Sequence, residues 1–178
     1  MKKPFALSFL LLCFFLSCKK NNSGSDSGSY HVTANLDGSA KTFNLSPAAT
    51  TITNGGYTSI AVVGIASATT KETMGVSITN SPGGKPIVAG TYTDTTANFA
   101  VAVTYGLNTT TTTYFGATNV TQAAIIFGHP VVNHIKIVIT AIDASTVKGT
   151  FSGDLFLSGD PTAAKKTVTS GDFYAKFQ

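Results

Sequence analysis

Apolar and polar residues alternate at period two in several windows of this chain. The clearest window is 98–107, whose alternate positions are all apolar: Phe99, Val101, Val103, Tyr105 and Leu107. Because successive side chains of a strand point to opposite faces of a sheet, this alternation predicts a strand with one buried face. Three more windows show the same pattern: 30–36, 134–143 and 173–177.

The spacing of these windows predicts the fold class. Residues 57–65 are apolar on both faces, which favours a central strand. Turn-forming groups separate the windows: Asp37-Gly38, Asn54-Gly55-Gly56, Pro82-Gly83-Gly84, Gly159-Asp160-Pro161 and Ser170-Gly171. About nine or ten short strands at this spacing predict an all-β domain, an antiparallel β-sandwich. The alternative is a flattened up-and-down or calycin-like barrel.

The first segment of the chain predicts export and a lipid anchor. Lys2 and Lys3 precede an apolar run over 5–16, which is shorter than the roughly 20 residues that a membrane-spanning helix needs. Leu16-Ser17-Cys18 resembles the lipobox of bacterial lipoproteins, in which a small residue precedes a cysteine that is acylated after cleavage. The resemblance implies diacylglycerol and palmitate chains on Cys18. Cys13 is the competing candidate, but it follows the bulky Leu12, where the lipobox needs a small side chain. The alternatives are an uncleaved signal anchor and a plain secreted protein.

Composition then divides the chain into three parts. Residues 1–17 are the predicted lipoprotein signal peptide, and 18–29 are the acylated cysteine with a flexible linker rich in Ser, Gly and Asn. Residues 30–178 are expected to form a single β domain. The predicted partner of the anchor is a membrane, contacted through acylated Cys18.

Short motifs resemble a known group of envelope proteins. Residues 34–38, Ala-Asn-Leu-Asp-Gly, resemble the opening strand and turn of small lipoproteins of unknown function that are common in Bacteroidota. Segments 90–93, 149–153 and 168–173 resemble their later strand starts. In that phylum, acidic residues after the lipidated cysteine direct surface export, but Lys19 and Lys20 follow Cys18 here. The resemblance therefore implies outer-membrane anchoring, facing the periplasm rather than the cell surface.

The composition argues against nucleic acid as a partner. The formal net charge is +4, and all 12 cationic side chains are lysines. Arginine supplies the planar fork that reads phosphates and base edges, so its absence from the sequence disfavours nucleic-acid binding.

Catalytic and metal-binding patterns are weak in this sequence. His129 and His134 flank a four-residue segment, but a metal would need further ligands, and the nearest acid in sequence is Asp143. The acidic side chains of the domain are Asp37, Glu72, Asp94, Asp143, Asp154, Asp160 and Asp172. Alternation places Asp154 on the solvent face, opposite Phe151, Gly153 and Leu155. We predict no catalytic residue, metal or cofactor, and a Ser–His–Asp set would require a tertiary coincidence.

A threonine run supplies the predicted ligand-binding residues. Asn108 is followed by five threonines, and Tyr105 and Tyr114 flank the run. These tyrosines and Thr111 are the candidate ligand-binding residues, as hydroxyl-rich surfaces beside aromatic rings bind sugars. Asp94-Thr95-Thr96 also resembles the acceptor pattern of Bacteroidota protein O-glycosylation, which requires an exposed segment.

These observations predict a non-enzymatic, lipid-anchored binding or structural module of the cell envelope. A glycan or an envelope protein is the expected partner. The alternative is a β-barrel that binds a glycan or a small apolar ligand in an enclosed cavity. A hydrolase is a third interpretation, and it would require carboxylates and histidines to converge in a cleft.

Overall fold

The computed structural model describes residues 29–107, 113–116, 132–157 and 165–178. The described chain is all-β, as predicted, and forms eleven strands rather than nine or ten. The strands are β1 His31–Leu36, β2 Ser39–Thr42, β3 Leu45–Asn54, β4 Tyr57–Ile65, β5 Thr73–Asn80, β6 Gly90–Thr93, β7 Phe99–Gly106, β8 Thr113–Phe115, β9 Lys136–Ile142, β10 Thr146–Leu157 and β11 Lys166–Phe177.

The eleven strands form one sheet that is folded into two layers. One layer has the order β3-β4-β5-β7-β8, and the other has the order β2-β1-β11-β10-β9-β6. The layers are joined where the end of β11 pairs with β3 and the end of β10 pairs with β8. This arrangement is a sandwich with two bridged corners, which can equally be described as a flattened barrel. The prediction of an antiparallel sandwich needs one correction. The β11–β3 pair is parallel, so the sheet is mixed.

The alternating windows form the core between the layers. Val101, Val103 and Tyr105 of β7 are buried. So are Ile135, which precedes β9, and Ile137 and Ile139 of β9. The prediction for β4 is half right. The strand is central, between β3 and β5, but only the face of Ile60 and Val62 is buried, whereas Val63 is exposed.

The predicted turns divide into hairpins and a bulge. Asp37 and Gly38, between β1 and β2, have positive φ angles. Gly55 and Gly56, between β3 and β4, also have positive φ angles. Such φ angles produce the type I′ turn that tight hairpins favour. Ser170-Gly171 was wrongly predicted as a turn, because β11 continues through it. Ser170 has a φ of 50°, and β11 carries one extra residue here against both of its neighbours.

The interior is filled by side chains. A void between β4 and β5 on one side and β9, β10 and β11 on the other measures about 10 Å³. A volume of this size holds about one water molecule at most. Within the described ranges, no helix has the length and apolarity that a membrane crossing requires. The predicted signal peptide, Cys18, nearly all of the linker and the Gly159-Asp160-Pro161 turn lie outside the described residues.

Candidate functional site

A groove crosses the outer face of β9, β10 and β11. It consists of two adjoining depressions of about 440 Å³ and 370 Å³. Both are lined by Lys136 and Ser152, which are direct partners in the β9–β10 register and therefore share a face. Polar and small residues contribute to the lining of the groove together with apolar ones. The polar and small ones are Asn133, His134, Thr150, Gly153, Thr167, Thr169, Ser170, Gly171 and Asp172, and the apolar ones are Val132, Val138, Phe151 and Val168.

A histidine–aspartate pair lies at one end of the groove. His134 precedes β9, and Asp94 follows β6, which pairs with β9 through Thr93 and Lys136. The Nδ1 atom of His134 is hydrogen-bonded to Oδ2 of Asp94. The Asp94 side chain is 3% exposed, whereas that of His134 is 38% exposed. A buried carboxylate thus fixes the orientation of a half-exposed imidazole at the groove, engaging Nδ1 and not Nε2.

A second histidine–aspartate pair lies toward the other end. The Nε2 atom of His31 lies 2.5 Å from Oδ1 of Asp172, which lines the groove. The Nδ1 atom of His31 is 2.9 Å from the carbonyl oxygen of Ser29, so both ring nitrogens face oxygen acceptors. The His31 ring also packs edge-on against Tyr174, with the ring centroids 6.4 Å apart. These contacts hold the Asp172 carboxylate in place on β11.

The carboxylate of Asp154 organises one wall of the groove. The side chain is fully buried, which corrects the prediction that it faces solvent. It does lie opposite Leu155, as alternation requires, but three side chains cover it: Asn133, Lys165 and Thr167. Lys165 Nζ donates to Oδ2 at 2.8 Å, Thr167 Oγ1 donates to Oδ1 at 2.9 Å, and Asn133 donates from Nδ2 at 3.0 Å and from its backbone N–H at 3.1 Å. Asp154 thereby positions Asn133 and Thr167, both of which line the groove.

The pKa of Asp154 reflects two opposing effects. Burial raises the pKa by disfavouring the charged form, but the hydrogen bonds from Lys165, Asn133 and Thr167 stabilise the carboxylate. The hydrogen bonds outweigh burial, so the pKa lies below its ordinary value. Asp154 is therefore an ionised structural carboxylate at neutral pH.

The predicted ligand-binding tyrosines come together away from the groove. The ring centroids of Tyr105 and Tyr114 are 6.2 Å apart. Tyr105 is only 3% exposed, so its ring belongs to the core and presents no stacking face. Burial raises the pKa of Tyr105, and the nearby Glu72 carboxylate adds to that rise. Thr111 lies outside the described residues, and ligand binding at this threonine remains a prediction.

The remaining carboxylates of the described chain each bind a separate partner. Glu72 accepts from Lys41 at 2.9 Å, and Asp37 accepts from Lys166 at 2.8 Å. Asp143 accepts the backbone N–H groups of the turn that follows it, which lowers its pKa. Among the described residues, no three His, Cys, Asp or Glu side chains form a group that could hold a metal ion. His129 and Asp160 lie outside those residues.

The candidate glycosylation sequence forms a turn after β6. Thr95 is exposed, and its hydroxyl lies 2.9 Å from that of Thr93. Thr96 is half-buried, and its hydroxyl accepts the Thr93 N–H at 2.8 Å. The exposure of Thr95 meets the condition that modification requires, and modification itself stays a prediction.

Neither the groove nor the Asp94–His134 pair was predicted from the sequence. The available signal was the outward position of Lys136 in the alternating window 134–143, but only the strand register places Ser152 beside it. Comparison of the chain with protein-family models, curated proteins and solved structures finds no match. The site is therefore interpreted from its own geometry.

Proposed function

We propose that this chain is a lipid-anchored lipoprotein of the cell envelope whose β domain is a non-enzymatic binding module. The observation that carries the binding role is the groove over β9, β10 and β11, which is lined by hydroxyl and apolar groups together. Its hydroxyls act as both donors and acceptors, and Lys136 adds an ammonium that has no ion-pair partner within the described ranges. A surface of this kind suits a ligand rich in hydroxyl groups, and a glycan is the class that we favour.

The carboxylates near the groove support binding rather than hydrolysis. Glycoside hydrolysis needs two carboxyl groups about 5–10 Å apart, one free to act as acid and one as base or nucleophile. Asp94 is buried against His134, and Asp172 is engaged by His31. Asp154 accepts hydrogen bonds from three residues. Each of the three carboxylates thus already has a structural role.

The filled core argues against the alternative function, in which a small apolar ligand binds inside a barrel. An enclosed ligand of ordinary size needs a cavity of roughly 300 Å³ or more. The void between the layers measures about 10 Å³. The glycan alternative therefore moves from a barrel mouth near Tyr105 to the open groove.

The membrane anchor rests on the first segment of the chain. Lys2, Lys3 and the apolar run over 5–16 lead to Cys18, and residues 19–29 form a polar linker. A flexible linker of this length has a root-mean-square span of roughly 18 Å. The proposal therefore places the β domain close to the headgroups of the outer membrane, on the periplasmic side.

The anchor is tested by metabolic labelling with an alkyne fatty acid. The wild-type chain should incorporate the label, and Cys18→Ala should lose it completely, because Cys18 supplies the acylated sulfur. Cys13→Ala is the matched control and should be labelled as strongly as the wild type, since Cys13 lies in the segment that cleavage removes. Label retained by Cys18→Ala would show that the acylated residue lies elsewhere.

The groove is tested by binding of the purified protein to an array of neutral and amino-sugar oligosaccharides. Ser152→Tyr places a bulky ring between the two depressions and should weaken binding about tenfold or more. Ala141→Tyr is the control, because Ala141 is exposed on β9 and does not line the groove. Equal binding by both variants would place the glycan site elsewhere, and no binding by the wild type would overturn the glycan assignment.

A further inference from the structure

The outward face of β3, β4, β5 and β7 differs from the rest of the surface. Strand register aligns its positions across four neighbouring strands. Among the described residues of these strands, the outward positions carry no charged side chain. The face, which we call the neutral face, consists of Ala48, Thr50, Ile52, Tyr57, Ser59, Ala61, Val63, Ile65, Thr73, Gly75, Ser77, Thr79, Ala100, Ala102, Thr104 and Gly106.

The neutral face carries mostly small side chains, and two of its threonines lie over glycines. A Cβ on Gly75 would come within 2.5 Å of the Thr104 hydroxyl, and a Cβ on Gly106 would come equally close to the Thr73 hydroxyl. The Ser59 and Thr79 hydroxyls are 2.7 Å apart and satisfy each other within the face. Desolvating these two hydroxyls therefore costs little, since each already has a partner.

Apolar side chains are exposed on the same face. Ile52 is 58% exposed, Tyr57 is 50% exposed and Val63 is 44% exposed. Burying these side chains against another apolar surface would remove their contact with water. The face therefore offers a hydrophobic gain and carries no charged side chain that would have to be desolvated.

Within the described strands, every Lys, Asp and Glu belongs to the opposite layer, and the charges nearest the neutral face are Lys71 and Glu72, in the connection between β4 and β5. Lys136, Lys148, Asp172 and Lys176 all belong to β9, β10 and β11. An anionic lipid surface or a charged protein would be attracted to that layer and not to the neutral face. A second neutral face meets no uncompensated charge, so electrostatics favour self-association over a charged partner.

We propose that the neutral face is the contact between two copies of this chain, packed sheet against sheet about a two-fold axis. Four strands about 4.8 Å apart and eight residues long at about 3.3 Å per residue give a footprint of roughly 500 Å² per copy. The total of roughly 1,000 Å² lies at the lower limit for a specific interface. The dimer is therefore weak and reversible, and it is independent of the groove and of the lipid anchor.

Cysteine cross-linking of the full chain in cells tests this contact. Ala61→Cys and Ser77→Cys each place a thiol near the centre of the neutral face, and Thr91→Cys places one on the opposite layer as a control. With a short bis-maleimide, at least one of the two central variants should give a product of twice the monomer mass. The Thr91→Cys variant should remain monomeric.

A second substitution distinguishes a real interface from random collision. Val63→Lys, combined with the cross-linking variant, should abolish the dimer because each copy would bury an ammonium group in a face that has no charged side chain to pair with it. Thr91→Lys, which adds the same charge on the other layer, should leave the dimer unchanged. Three outcomes would overturn the proposal. The first is only monomer from both central variants, the second is a product of another mass, and the third is a dimer that persists with Val63→Lys.

Discussion

Gly149→Ala is expected to destabilise the domain by about 3 kcal/mol, the upper range of overpacking in a core. Gly149 lies in β10, where a Cβ would approach the Val138 carbonyl oxygen to 2.2 Å and Cζ of Phe173 to 2.6 Å. The first atom belongs to the backbone of β9, and the second belongs to a ring that is buried in the core. Neither can move away without breaking strand pairing or core packing.

Gly75→Ala is the matched control for this effect. Gly75 also lies within a strand, but its Cβ would approach only the Thr104 hydroxyl closely, at 2.5 Å, and a threonine side chain can rotate. We expect a change of less than about 1 kcal/mol. Urea denaturation followed by tyrosine fluorescence measures both variants, since the chain has no tryptophan. Similar stabilities for the two variants would show that β9 and Phe173 yield more easily than the packing indicates.

Gly149 also shows why the sequence predicted β10 incompletely. The segment 149–153 resembles a strand start of the Bacteroidota lipoproteins, but it lies in the middle of β10. There Gly149 allows β9 and the Phe173 ring to approach the strand closely. Ser170-Gly171 was mistaken in the same way, because a bulge and a turn require the same residue types.

Strands with a long alternating pattern were predictable, and short ones were not. β7 and β9 alternate over enough residues to define a buried face. β2, β6 and β8 have 4, 4 and 3 residues, which is too few for a period-two pattern to stand out. The bridged corners depend on pairing between distant strands, such as β11 with β3, and local sequence carries no signal for that pairing.

The groove illustrates the same limit for the candidate site. His134 and Asp94 are 40 residues apart, and His31 and Asp172 are 141 residues apart. Alternation correctly placed Asp154 opposite Leu155, but it describes one strand and not what covers that strand. The cover comes from Asn133 and from Lys165 and Thr167, which only tertiary structure brings together.

The two layers divide the surface into parts with different chemistry. The strands β9, β10 and β11 carry charged side chains and the groove, whereas β3, β4, β5 and β7 present the neutral face. A dimer through the neutral face would leave both grooves open on the outside. Ligand binding and self-association can therefore be tested by separate substitutions.

Asp154→Asn is expected to destabilise the domain by about 3 kcal/mol, because a buried group that receives four donors loses its charge and one of its acceptors. An amide nitrogen at the Oδ2 position would face Lys165 Nζ and the backbone N–H of Asn133, and one at the Oδ1 position would face Asn133 Nδ2, so a donor would meet a donor. Asp143→Asn is the control, since Asp143 is exposed and accepts only from its own turn. Its effect should be clearly smaller in the same denaturation experiment, and equal losses would mean that burial of Asp154 contributes little.

The pH dependence gives a second, independent measurement of the same carboxylate. Its pKa in the folded state lies below the ordinary value of 3.8, so folding favours the ionised form. The stability that this provides is complete above the unfolded pKa and is lost as the pH falls through the folded pKa. Asp154→Asn should therefore lower the free energy of unfolding at neutral pH and flatten its decline on acidification below about pH 4. An unchanged acid limb in the variant would show that Lys165, Asn133 and Thr167 do not stabilise the charge, and the groove wall that they form would then need another explanation.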